Sequence, residues 1–217
     1  MTSDLQTAPK LTIALIGAAG GVGRRVAAQA AAEGHRVRGL VRREEQADML
    51  SLYGAEPVLG DLMADWEAVL DGTDAVVWAA GAGASGAFEA VDQDALIRLV
   101  DVLKDRGPRR LVVVSSMGVD RPEQMPPFLS AVLRVKAVSD AYVQASGLEY
   151  TIVRPAGLTD APGTGQIQIG MPVQRGMIAR DDVAQVVLTS LTLPQTIQKT
   201  FEIVGGEVSI AEALSRV

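Results

Sequence analysis

The stretch Leu11-Thr12-Ile13-Ala14-Leu15-Ile16-Gly17-Ala18-Ala19-Gly20-Gly21-Val22-Gly23 decides how the rest of the chain is read. Residues 11–16 form a short apolar run that stops on glycine, the pattern of a strand buried on both faces. Beyond the glycines, Val22, Val26 and Ala30 recur four residues apart, which predicts a helix ending near Gly34. A glycine-rich turn between a strand and a helix carries a specific chemistry. Glycine permits a tight turn and close backbone approach, and the helix start offers unpaired N–H groups to a pyrophosphate. The plainer alternative is an ordinary strand–helix turn. Closing the first strand while opening the first helix is the context that dinucleotide binding requires.

The same alternation continues outward. Further strands are expected at residues 36–41, 56–59, 75–79, 111–114, 150–153 and 201–204, with a short edge strand at 166–169. Helices are expected at 44–52, 87–104, 128–145, 181–191 and 210–216, and a helical turn or two at 66–70. Strand and helix alternate from end to end, which predicts an α/β fold: one doubly wound, mainly parallel sheet with helices on both faces. A flexible tail is expected over residues 1–9 and a single domain over 10–217. Residues 158–176 are glycine-rich, weakly periodic and long for an ordinary loop, hence a candidate substrate-side lid.

Composition narrows the function classes. The 217 residues are 48% hydrophobic and 21% charged, ordinary globular usage that excludes long disorder. With no cysteine there are no disulfides, thiolate metal sites or cysteine nucleophiles, and one histidine, His35, leaves no histidine-rich metal site. A net charge of −6 and 4% aromatics argue against a nucleic-acid or anionic-membrane partner. The N-terminus lacks a cationic segment followed by an apolar one, and no apolar run reaches the length of a bilayer span. A cytoplasmic protein acting on a small molecule, monomer or homodimer, is the expectation.

The turn is spaced GxxGxxG, and in this it resembles the atypical branch of the short-chain dehydrogenase/reductase superfamily, small NAD(P)H-binding proteins of the epimerase/dehydratase-like kind. Further motifs stand in that family's order. Gly60-Asp61-Leu62 follows the third strand, where the family places an aspartate near the adenine. Ala79-Ala80-Gly81 follows the fourth, where the family backbone packs on the adenine ribose. Ser115-Ser116 ends the fifth, at the family's active-site serine, and Lys136 lies in the next helix. Tyr150-Thr151-Ile152-Val153-Arg154-Pro155 resembles the signature YTIVRPG, and Gly205-Gly206 matches the terminal strand. The resemblance implies a single-domain Rossmann fold. It implies cofactor contacts from the turn (Gly17, Ala19, Gly20, Gly21, Val22 and Gly23), from Asp61-Leu62 and Ala79-Ala80-Gly81, from Lys136, and from Pro155, Ala156 and Gly157.

Which dinucleotide is bound turns on the end of the second strand, where NAD-binding relatives carry an acid for the ribose hydroxyls. Here the strand ends Leu40-Val41-Arg42-Arg43. Arg42 and Arg43, with Arg24 after the turn, suit a 2′-phosphate, so NADP(H) is expected to be preferred and NAD(H) to remain possible. The alternative is surface arginines paired with Glu44 or Glu45.

Family reductases use Tyr-x-x-x-Lys, in which the lysine lowers the tyrosine pKa and a serine polarises the substrate oxygen. Four residues before Lys136 stands Val132. Tyrosine-based reduction and epimerisation are thereby in doubt. Ser115, Ser116 and Lys136 remain the candidate catalytic groups, beside the plainer readings of loop-capping serines and a solvated lysine. Asp140, one turn on, reads as the i+4 partner of Lys136. Asp92 reads equally as a family position or as surface charge, and Arg154 as structural or substrate-facing. Tyr142, Tyr150 and His35 read as structural. The first expectation is an NADP(H)-dependent oxidoreductase with a substrate pocket built from residues 83–88, 117–128 and 157–176, where Met117, Met125, Met171 and Met177 supply adaptable lining or plain filler. A sugar epimerase or dehydratase and a non-catalytic nucleotide sensor are the alternatives.

Overall fold

The computed structural model describes residues 9–217, apart from the Ala84 side chain. The tail expected over 1–9 therefore lies, but for Pro9, outside the described residues. The chain runs β1 (Thr12–Ile16), α1 (Gly23–Ala32), β2 (Arg36–Val41), α2 (Glu44–Leu52), β3 (Glu56–Leu59), β4 (Ala75–Trp78), α3 (Ala95–Arg106), β5 (Arg110–Val114), α4 (Pro127–Ala145), β6 (Glu149–Pro155), β7 (Gly157–Thr159), β8 (Gln166–Gly170), β9 (Met177–Ala179), α5 (Arg180–Thr192), β10 (Lys199–Gly205), β11 (Val208–Ser209) and α6 (Ile210–Ser215). The main sheet is ordered β11-β8-β10-β6-β5-β4-β1-β2-β3. From β3 to β10 all neighbours are parallel, and β8 is antiparallel to β10 and to β11. The doubly wound, mainly parallel α/β sheet expected from the sequence is what forms.

Successive residues of a strand face opposite sides of a sheet, so a strand covered on both faces must be apolar throughout. Ile13 and Leu15 enter one core with α1, α2, α5 and α6. Ala14 and Ile16 enter the other, with α3, α4 and Trp66. The β5 run divides likewise, Val112 and Val114 to the first core, Leu111 and Val113 to the second. Strand order reverses beside β1, where β2 lies on one side and β4 on the other. At such a switch point helices leave in opposite directions and a crevice opens at the carboxyl ends of the strands.

The sequence expectation differs from the fold in two places. The helix expected over 87–104 begins as a π-helical segment, Glu89–Asp94, before α3. The candidate lid is not one irregular loop: the short edge strand expected at its middle forms as β8 in the main sheet, and β7 and β9, overlapping its start and following its end, pair in parallel as a second small sheet. Strands this short, three residues in β7 and β9, leave no periodic trace. Met117 sits in the core, the filler alternative.

Candidate functional site

The site begins with the backbone of the glycine turn. Gly17 has φ +85°, and a Cβ there would lie 2.5 Å from Ala80 N, so the turn presses against the end of β4. A Cβ at Gly23 would lie 2.1 Å from Gly17 O and one at Gly20 3.1 Å from the same atom, so the start of α1 folds back over the turn. Gly20 N–H donates to Gly17 O at 3.0 Å. No hydrogen bond from the N–H groups of Gly21, Val22 or Gly23 forms among the described residues, as the first turn of a helix requires. A cradle poor in side chains, edged by unspent helix-start amides, fits the diphosphate of a dinucleotide.

Beside the turn runs a groove of about 360 Å³. Gly17, Ala19 and Gly20 form one wall. Ala79, Ala80, Gly81 and Ala82 form the floor beyond β4. Arg42 and Gln46, at the β2–α2 junction, and Asp61, Leu62 and Met63, after β3, close the far end. Asp61 shapes its own turn by accepting the Met63 N–H at 2.9 Å. The Arg42 N–H donates to Gln46 Oε1 at 3.0 Å, and the Arg42 side chain is exposed at the groove. Arg43 and Arg24 do not line the groove. Arg43 caps α2 and stands 4.0 Å from Glu45, the surface pairing weighed for it.

At the other end, Asp92 reaches inward from the π-helical segment and is buried. Its Oδ2 accepts the Ala82 N–H at 2.9 Å, and its Oδ1 lies 2.7 Å from Lys136 Nζ. Lys136 does not itself line the groove, but Asp92 links it to Ala82 of the groove floor, and its side chain is 15% exposed. This corrects the reading of Asp140 as its i+4 partner. Asp140 turns the other way, accepting the Ser115 hydroxyl at 3.0 Å and Arg154 Nε at 2.9 Å. Burial pushes the Asp140 carboxyl above its ordinary value, against the opposing pull of Arg154 and the Ser115 hydrogen bond. Arg154 is therefore buried in this network. Ser116 is half-buried, and its hydroxyl makes a long 3.4 Å bond to Met117 O. Val132 stands one turn before Lys136, half-buried, and no tyrosine replaces it. Tyr142 donates its hydroxyl to Asp101, and Tyr150 is buried in the second core. His35 accepts the Leu11 N–H, at the amino end of the sheet.

Pro155, Ala156 and Gly157 do not line the groove. Their backbone ties the strand ends together: Met117 N–H donates to Pro155 O, Ala156 N–H to Ile203 O, and Gly157 N–H to Gly176 O.

One organising residue left no sequence signal. Glu202, on β10, is fully buried, yet its Oε1 accepts the Gly118 N–H at 2.9 Å and its Oε2 accepts Arg121 Nη2 at 2.8 Å and the Val173 N–H at 3.1 Å. Burial alone would raise its pKa. Arg121 and the two amides overcome that and hold the carboxyl below the usual range. One carboxylate thereby pins both the loop after β5 and the segment before β9.

The chain matches the family described as NAD(P)H-binding over residues 17–194. It is 35% identical, over 95% of its length and the whole of the relative's, to the Bacillus subtilis protein named "Uncharacterized sugar epimerase YhfK". Among solved structures, a putative NAD-dependent epimerase/dehydratase from Bacillus halodurans superposes with a TM-score of 0.91 at 31% identity, over 95% of this chain and 100% of that one. The Escherichia coli O157:H7 protein titled "ChuY: An Anaerobillin Reductase" superposes with a TM-score of 0.77 at 25% identity, over 91% and 98%. The glycine cradle, the groove across the switch point and these likenesses agree: this chain belongs to the NAD(P)H-binding family, of the atypical short-chain dehydrogenase/reductase type.

Proposed function

We propose that the protein is an NADP(H)-dependent oxidoreductase of the cytoplasm acting on a small, apolar or planar substrate. The observation that carries this reading is the Lys136–Asp92 pair beside the groove floor, an ammonium at the lysine position of the Tyr-x-x-x-Lys motif. When bound, the nicotinamide supplies or accepts the hydride. Lys136 holds the ribose or gives a proton to the substrate oxygen, and Asp92 keeps its Nζ beside Ala82. Ser115 commits its proton to Asp140, so polarisation of a carbonyl falls to Ser116. At the far end, Arg42 is the one cation among the groove-lining residues, and its guanidinium suits a 2′-phosphate.

The test is oxidation of NADPH against a panel of quinones, flavins and aldehydes. Turnover with at least one acceptor, reduced about 100-fold or more in Lys136→Ala, is expected. Turnover unchanged in both Ser116→Ala and Lys136→Ala removes these roles. The names of the relatives favour a second reading, a sugar epimerase or dehydratase, against which Val132 and the small substrate side count. Tight nucleotide binding with no turnover on any acceptor or nucleotide sugar points instead to a sensor.

A further inference from the structure

The turn holds a fourth glycine outside the GxxGxxG spacing. Gly21 has no positive φ, so its backbone conformation does not call for glycine. The atoms nearest the position of a Cβ there belong to Arg180: its Nε would lie 2.8 Å away and its Cδ 2.9 Å. The first residue of α5 thus lays its side chain along the turn, close to the amides that helix α1 leaves unspent.

Two arginines meet at this place, and their states differ. Arg25 is fully engaged: Nη1 donates to Gly21 O, Nε to Asp181 and Nη2 to Asp160. Arg180 has a single charged partner among the described residues, Asp160 Oδ1 at 3.1 Å from Nη1. That carboxylate is 67% exposed and already shared with Arg25. Such an exposed pair is weak. A guanidinium with donors to spare, a quarter exposed beside a glycine-rich anion cradle, has the geometry for bidentate phosphate binding.

We propose that Arg180 is a diphosphate-binding residue, contributed by α5 across the glycine turn, and that Asp160 is its partner only while no nucleotide is bound. The inference rests on the turn being the diphosphate cradle, and it holds for NADPH and NADH alike.

Calorimetric titration of the full chain tests it, with NADPH, NADH and adenosine 2′-monophosphate as probes against wild type, Arg180→Ala, Arg180→Gln and Asp160→Asn. Loss of a charge-assisted phosphate contact should weaken NADPH and NADH by about tenfold each in both Arg180 variants. Adenosine 2′-monophosphate, which has no diphosphate, should bind them as it binds wild type, showing that the groove is intact. Asp160→Asn should bind both dinucleotides as tightly as wild type or more tightly. Unchanged dinucleotide affinity in the Arg180 variants overturns the proposal. So does an equal loss in Asp160→Asn, because Arg180 would then act only by anchoring Asp160. A loss extending to adenosine 2′-monophosphate in both Arg180 variants also counts against it. Wild type binding neither dinucleotide would instead defeat the reading of the cradle itself.

Discussion

Asp92 shows how much a single side chain can tie together. It is buried, it holds Lys136 at 2.7 Å and it caps the Ala82 amide in the groove floor. Truncating one member of a buried pair strands the other charge. Asp92→Ala should therefore cost about 3 kcal/mol in urea unfolding, whereas Asp92→Asn, which keeps an acceptor for Ala82, should cost less. Equal stability of Asp92→Ala and wild type would show that Lys136 finds water instead. Gly23 is as demanding for a different reason. A Cβ there would fall 2.1 Å from a backbone oxygen that has nowhere to go, so Gly23→Ala should lose about 3 kcal/mol and its nucleotide affinity together. At this scale the sequence was legible where backbone geometry dictated residue type, as at Gly17 and Gly23. It was not legible where a side chain's partner lies far along the chain. Nothing in the spacing of Asp92, Asp140 or Glu202 says which cation each will meet.

Among the elements, the π-helical segment is the one that a sequence pattern conceals. Leu96, Leu99, Val100 and Leu103 announce α3 by their spacing, but a change of helical winding before it alters no periodicity that a short polar stretch can carry. That winding aims Asp92 into the site. The loops after β5 and before β9 present the complementary case, because beyond a 3-10 turn at Pro122–Gln124 they are irregular and are tied together by Glu202. Its depressed pKa gives a sign. A carboxylate held below its ordinary value of 4.5 stabilises the fold at higher pH and loses that contribution as pH falls through the folded value. Thermal unfolding from pH 7 down to 3 should show an acid limb in wild type that is shallower in Glu202→Gln, with the variant less stable at pH 7. Parallel curves would mean that Arg121 and the two amides do not depend on the charge. Arg110, whose pKa burial pushes down to about 10, is satisfied by Thr151, Thr196 and backbone carbonyls. It closes the opposite end of β5 and takes no part in the groove.

For the whole molecule, alternating patterns were enough to give the doubly wound sheet, because strands buried on both faces must be apolar throughout. The antiparallel extension through β8 and β11 and the small β7–β9 sheet were not legible beyond a short edge strand, being too brief for a period to register. Among the described residues no helix is long and apolar enough to cross a membrane. A glycine turn lies at the strand switch point, with Arg42 at one end of the groove beside it and the partly buried Lys136 tied through Asp92 to the other. The proposed preference for the nicotinamide dinucleotide with a 2′-phosphate is read by side-by-side calorimetric titration of NADPH and NADH. NADPH should bind at least about tenfold tighter, with the difference abolished in Arg42→Ala; NADH binding as tightly as NADPH, or tighter, would overturn the preference.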